Sequence, residues 1–397
     1  MRSLRIATFM IAAQICALIG TSAVAATLPT LISTWHLSPV QAGWLGGSYF
    51  LGYAAAVPFL VSLTDRFDPR FVFATGCAIG VIANAGFAIL AYGLAPALAF
   101  WALAGVSIAG VYMPGLRVVT DRVDPQFRLR VVPYYTASFG VAISASFFMA
   151  GSVAQTWGWR SAFAVAAVGC LLAAGCLIIA TLRTSVHVAQ RRGSGMFDLR
   201  RVLENRAAMR YVIAYGGHSW ELFALRAWLV AFLLYAWNRT SGGNTGHALT
   251  TWSTLIALAG APASILGAEW ALRSKRRRLI ATFSLLSVAV ALVTVWASTV
   301  SFALAVLALV VYNIVILGDS GALTAGVVDA ASADAQGSTL AFYSLVGFAG
   351  AGLGPVAVGI ALAWAGGAAS ASGWTAAFIV MASGSALAAF TMVSGKR

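Results

Sequence analysis

Twelve apolar segments, each close to the length a helix needs to cross a bilayer, recur along the chain. They lie at about residues 5–30, 42–63, 70–92, 96–118, 131–154, 160–182, 210–237, 247–270, 278–297, 300–321, 337–364 and 373–393. Roughly 20 apolar residues in helical form span the hydrocarbon core. Lipid offers no partner for backbone polar groups, so apolar segments of this length must fold as helices. The predicted class is therefore an all-α membrane protein of twelve transmembrane helices. Composition agrees, because only 9% of residues are charged against about 25% in soluble domains. The N-terminus imitates a signal peptide, with Arg2 and Arg5 before an apolar run and Ala23-Val24-Ala25 after it. The apolar run continues to Leu31, so it is read as an uncleaved first helix.

Most connections are short. The exception, residues 183–209, is polar and basic and divides six spans from six. The expected organisation is a six-helix bundle over 1–182, a linker over 183–209 and a second six-helix bundle over 210–397. Within the linker, residues 196–203 place apolar and basic side chains on opposite sides at helical spacing, which suits either a helix lying on the membrane surface or a flexible linker. With both termini in the cytoplasm, all but three of the 25 Lys and Arg residues fall on the cytoplasmic side. Arg160 and Arg239 lie outside, and Arg226 lies within the membrane. This bias sets the expected topology in a bacterial-type inner membrane. It also accounts for the net charge of +14 without nucleic acid as a partner.

The connection after the second span carries a motif. Gly43-Trp44-Leu45-Gly46-Gly47 leads through the span to Asp65-Arg66-Phe67-Asp68-Pro69-Arg70. Together with the six-plus-six outline, this resembles the major facilitator superfamily, whose loop between helices two and three carries an Asp-Arg pair and further basic residues. Gly267-Ala268-Glu269 through Arg273, Lys275 and Arg276 resembles a degenerate second copy. Asp68-Pro69 stands where the family has a glycine. The resemblance implies two pseudo-symmetric halves and secondary transport of a small-molecule substrate. A related pattern, Asp121-Arg122-Val123-Asp124-Pro125, follows the fourth span, with Arg117 before it. Charge-assisted hydrogen bonds among Asp65, Arg66, Arg70, Arg117, Asp121 and Arg122 would make a cytoplasmic gating latch. The family's antiporter pattern is missing from the fifth span. A glycine run does occur on the eleventh (Gly347, Gly350, Gly352, Gly354-Pro355, Gly359), where close helix packing or hinging is expected.

The seventh span carries the chemistry. Residues 211–237 are long enough to cross the membrane yet contain His218, Glu221 and Arg226. A charge at the bilayer centre costs at least ~2.5 kcal/mol, so such groups face a partner, a wet cavity or a substrate. His218 and Glu221 are about 60° apart on a helix, whereas Arg226 is about 140° round from Glu221 and roughly 7.5 Å along. Glu221 is thus a candidate proton carrier tuned by His218, and Arg226 a candidate for an anionic substrate group or for a carboxylate on another span. In the superfamily, helices one, four, seven and ten line the cavity, which implies roles for Gln14, Tyr112 and Asn313. Asp319, near the expected end of the tenth span, is a possible second proton site, or else a helix cap or part of the loop charges. Trp35, Trp44, Trp157, Trp159 and Trp374 are expected at the outer interface.

A proton-coupled secondary transporter acting as a monomer in the lipid bilayer is the leading expectation, its solute a small and anionic organic molecule. The alternative is a proton antiporter that exports drugs or metabolites, and after it a membrane receptor that transports nothing. No phosphate-loop sequence is present for a primary pump. The four histidines are too scattered for a metal site, and the four cysteines (Cys16, Cys77, Cys170, Cys176) lack ligand spacing, so neither metal, cofactor nor enzymatic activity is expected.

Overall fold

The computed structural model of the protein describes residues 2–182, 199–332 and 335–394. Among them are α1 (Arg2–Leu18), α2 (Ala23–Trp35), α3 (Pro39–Leu63), α4 (Pro69–Leu90), α5 (Leu94–Arg122), α6 (Pro125–Trp157) and α7 (Trp159–Thr181). These are followed by α8 (Leu199–Glu204), α9 (Arg206–Thr240), α10 (Ala248–Arg273), α11 (Arg276–Val300), α12 (Phe302–Leu317), α13 (Ser320–Ala330), α14 (Gln336–Trp364) and α15 (Ala371–Val393). They form twelve spans long and apolar enough to cross a membrane, of which the first combines α1 with α2 and the tenth combines α12 with α13. Where a surface helix over 196–203 is expected, α8 covers Leu199–Glu204, and residues 196–198 lie outside the described residues.

Helix starts follow from local sequence. Asp68 caps α4 by accepting from the Arg70 backbone N–H at 3.0 Å, and Pro69 fills the first turn, where a missing N–H is harmless. Asp124-Pro125 starts α6 at the same kind of junction. Asn205, Ser301 and Ser370 cap α9, α12 and α15 by accepting from Ala208, Leu304 and Gly373 N–H groups.

The chain divides into two compact units. Met1–Thr27 and Ser48–Gly193 make the first, and Leu28–Gly47 and Ser194–Arg397 the second. In the first, the break between α1 and α2 frees backbone groups at membrane depth, and the Ser146 hydroxyl on α6 accepts from Ser22 N–H at 2.8 Å. The core of this unit includes Ile6, Met10, Phe73, Val111 and Tyr135.

In the second unit α9 is the enclosed element. Of its most apolar window 78% is buried, against 28–56% for the other spans. Glycines allow this. Gly217 and Gly384 are so close that a Cβ on either would strike the other's carbonyl, and Gly350 and Gly354 of α14 meet the carbonyls of Gly216 and Trp220. Gly347, Gly350 and Gly354 of the glycine run on the eleventh span are therefore a close-packing face for α9, while Gly352 and Gly359 face the segment around Pro39 and Gly47. Trp374, expected at the lipid interface, is instead fully buried, packed with Phe232 and Phe378, and its indole N–H donates to the Ala368 carbonyl at 2.8 Å.

Candidate functional site

The close approach of α14 and α15 to α9 places Glu221 at the centre of the second unit, 0% exposed. Three hydroxyls from three other helices donate to its carboxylate. Ser287 of α11 reaches Oε1 at 3.0 Å, Tyr312 of α12 reaches the same oxygen at 2.6 Å, and Ser385 of α15 reaches Oε2. No cation pairs with it among the described residues.

One turn earlier on α9, His218 Nδ1 lies 2.8 Å from Asp319 Oδ1, with both side chains about 95% enclosed (4% and 5% exposed). The Ser284 hydroxyl donates to the other Asp319 oxygen at 3.4 Å. The Tyr215 ring stacks on His218 at 6.0 Å and on Tyr343 at 4.0 Å. The tenth span extends to Ala330 rather than ending near residue 321, so Asp319 sits at the α12–α13 junction, inside the span. Its side chain neither caps α13 nor joins the loop charges. It faces His218 instead.

Arg226 has no carboxylate within ion-pair distance among the described residues. Its guanidinium lies 5.3 Å from the Phe223 ring centroid, and its Nε is buried with no hydrogen-bond partner. The expected carboxylate partner on another span is therefore absent from the described residues. Asn313 serves packing: its side-chain amide donates to the Ile256 carbonyl of α10 at 2.6 Å.

The remaining candidates lie in the first unit. Gln14 donates to the Tyr135 carbonyl at 3.1 Å, while its own buried Oε1 has no partner among the described residues. The Tyr135 hydroxyl donates to the Tyr112 carbonyl at 3.1 Å, and the two rings stack. The charged loop residues form a network centred on α5. Arg117 pairs with Asp65 at 2.5 Å and approaches Asp121 at 3.8 Å. Arg122, whose side chain is 0% exposed, pairs with Asp68 at 2.6 Å, and Arg70 pairs with Asp68 at 2.9 Å. Arg66 is exposed and outside the network. Asp68 is thus the hub, although the motif directs attention to Asp65. Burial alone would raise the Asp68 carboxyl, but the Arg70 backbone N–H and the Arg122 guanidinium outweigh it and hold it below the usual carboxylate range.

Comparison with known proteins gives this arrangement its setting. The family model of the Major Facilitator Superfamily matches residues 10–355. The chain belongs to this superfamily. Among curated relatives, the niacin transporter NiaP of Acinetobacter baylyi (strain ATCC 33305 / BD413 / ADP1) is 28% identical over 147 residues, 37% of this chain and 33% of that protein. The uncharacterized transporter YgaY of Escherichia coli O157:H7 is 27% identical over 219 residues, 53% and 52% of the two chains. The chain thus spans about a third and about half of the relatives it matches. Among solved structures, a bacterial homologue of the human lysosomal transporter Spinster, inward-facing and occupied, has a TM-score of 0.78 at 17% identity, covering 98% of this chain and 95% of the other. The nucleoside transporter NupG gives 0.72 at 15% identity, with coverage of 99% and 98%. At such identities the likeness is one of fold. As a superfamily member with twelve apolar spans, the chain is an integral multi-pass membrane protein.

Proposed function

We propose that the protein is a proton-coupled secondary transporter that moves a small organic solute bearing an anionic group by alternating access. The observation that carries this reading is the pair of opposite charges on α9, neither neutralised by protein among the described residues. Each residue costs at least ~2.5 kcal/mol at the bilayer centre, and a purely packed helix has no need of either. Glu221 is the proton carrier in this reading. Its partners are hydroxyls, which both donate and accept by rotation. The cage therefore holds the carboxyl group with or without its proton, which a lysine or arginine partner could not do. His218 with Asp319 forms a second exchangeable pair one turn away.

Arg226 supplies a planar fork suited to a carboxylate or similar anion. The partial similarity to a niacin transporter supports this class of solute, since niacin is an aromatic carboxylate. In this reading the transporter acts as a monomer, and the Lys and Arg bias supports cytoplasmic termini in an inner membrane.

The test is proteoliposomes with an internal pH indicator, screened with small carboxylates. A carboxylate is expected to drive proton movement in the wild type. Glu221→Gln abolishes that coupling, and Arg226→Ala raises the half-saturating solute concentration tenfold or more. Normal transport by both variants, with only a lower melting temperature, rejects the reading.

A further inference from the structure

Away from Glu221, a cavity of about 280 Å³ opens in the second unit between the starts of α9 and α11 and the end of α13. Its lining includes Arg210 and Tyr211 from α9, Arg276 and Arg277 from α11, and Asp329 from α13. Three arginines and one aspartate thus line the same cavity. Asp329 is engaged by Arg276 at 2.6 Å, and Arg277 donates to the Met392 carbonyl at 2.6 Å. Arg210 has no acidic partner among the described residues. Arg276 Nε is closed to solvent and has no hydrogen-bond partner among the described residues, so the ion pair leaves part of that guanidinium unsatisfied.

The helix end sharpens the imbalance. The positive end of a helix dipole favours anions, yet the first turn of α11 has no acidic residue and reads Arg276-Arg277-Arg278 after Lys275, whose side chain makes no capping bond. Retention of positive charge at one end of the spans explains why basic residues are abundant there. It does not explain why three of them line one cavity at a helix start. An anion placed there would lie among Arg210, Arg276 and Arg277 at the N-terminal end of α11.

We infer that this cavity is a binding site for a phosphate-bearing anion, and specifically for the headgroup of an anionic phospholipid. The lipid source is favoured because the cavity lies at the ends of membrane spans, where lipid phosphates are concentrated, and Tyr211 adds an aromatic wall of the kind found at that depth. This site is independent of the transport reading above.

The test uses purified protein in neutral detergent, titrated with phosphatidylglycerol, phosphatidylcholine or inorganic phosphate, with melting temperature and lipid retention in native mass spectrometry as readouts. Phosphatidylglycerol is expected to bind and stabilise where phosphatidylcholine does not. Arg210→Ala is expected to weaken that binding about fivefold, the contribution of one basic residue at an anionic surface. Because Arg210 has no acidic partner among the described residues, its loss should leave the lipid-free melting temperature unchanged, which separates binding from folding. Equal binding of both lipids, or unaltered phosphatidylglycerol binding by Arg210→Ala, overturns the inference. Stabilisation by inorganic phosphate that depends on Arg210, without any by phosphatidylglycerol, overturns the lipid assignment.

Discussion

Neighbouring acidic residues in this chain do unlike work, and their surroundings decide which. Asp65 and Asp68 are three positions apart in one loop, but the Asp65 side chain is 41% exposed and the Asp68 side chain 9%. An ion pair as exposed as that of Asp65 with Arg117 contributes ~0–1 kcal/mol. Removing Asp68 leaves Arg122 buried without its countercharge, a loss of about 3 kcal/mol. Thermal unfolding in detergent should therefore show a large drop for Asp68→Asn and a small one for Asp65→Asn. The same carboxylate shapes the acid response. Because the Asp68 value is depressed in the folded state, its stabilisation is complete above the ordinary aspartate value of about 3.9. It is lost as pH falls through the lower folded value. Wild type should lose melting temperature below about pH 4, and Asp68→Asn should flatten that part of the profile. Sequence motif reading selected Asp65 because the family pattern names it. Asp68 was hidden behind its role as a helix-starting Asp-Pro, although the adjacent proline was itself the sign that this carboxylate is fixed in place.

At the scale of helices, the chemistry of α9 depends on what its neighbours lack. Gly217 and Gly384 bring α9 and α15 together, which puts the Ser385 hydroxyl against Glu221. A valine at Gly384 meets the Gly217 carbonyl and the Trp220 ring, and such overpacking costs about 1–3 kcal/mol. Gly384→Val should lower both the melting temperature and proton coupling. Gly175→Ala on α7, where an added Cβ meets nothing, should alter neither. The seventh span was legible as the central element because a carboxylate and a guanidinium in an apolar run need a reason. Its partners were not. Hydropathy reports depth in the membrane but not direction around the helix, so Asn313 drew attention while Tyr312, one residue and about 100° away, is the group that reaches Glu221. Ser287 and Ser385 gave no signal at all, since serines in apolar helices ordinarily bond to their own backbone. Asp319 was misplaced for a related reason. The tenth span continues past Gly318 as α13, and a break inside a span looks like its end when only composition is read.

For the whole molecule, the distribution of Lys and Arg makes a direct prediction. A fluorescent reporter fused after Arg397 should be bright, and a cysteine placed beside Arg239 should react with an impermeant thiol reagent from outside intact cells; the opposite pattern would invert the topology. The twelve spans were readable from hydropathy, because lipid leaves a chain few other choices. The segment Leu28–Gly47 belongs by chain order with the first six spans and by packing with the second unit. There Gly43 and Gly47 lie on the carbonyls of Pro355 and Gly352, and Gly359 lies on that of Pro39. A polypeptide cut in the linker would consequently yield a C-terminal fragment missing twenty residues of its own structural unit, with the small-residue face of α14 left bare. Such a fragment should be recovered in soluble, monodisperse form only when the N-terminal fragment is synthesised beside it, so that the two halves behave as obligate complements and not as separable modules.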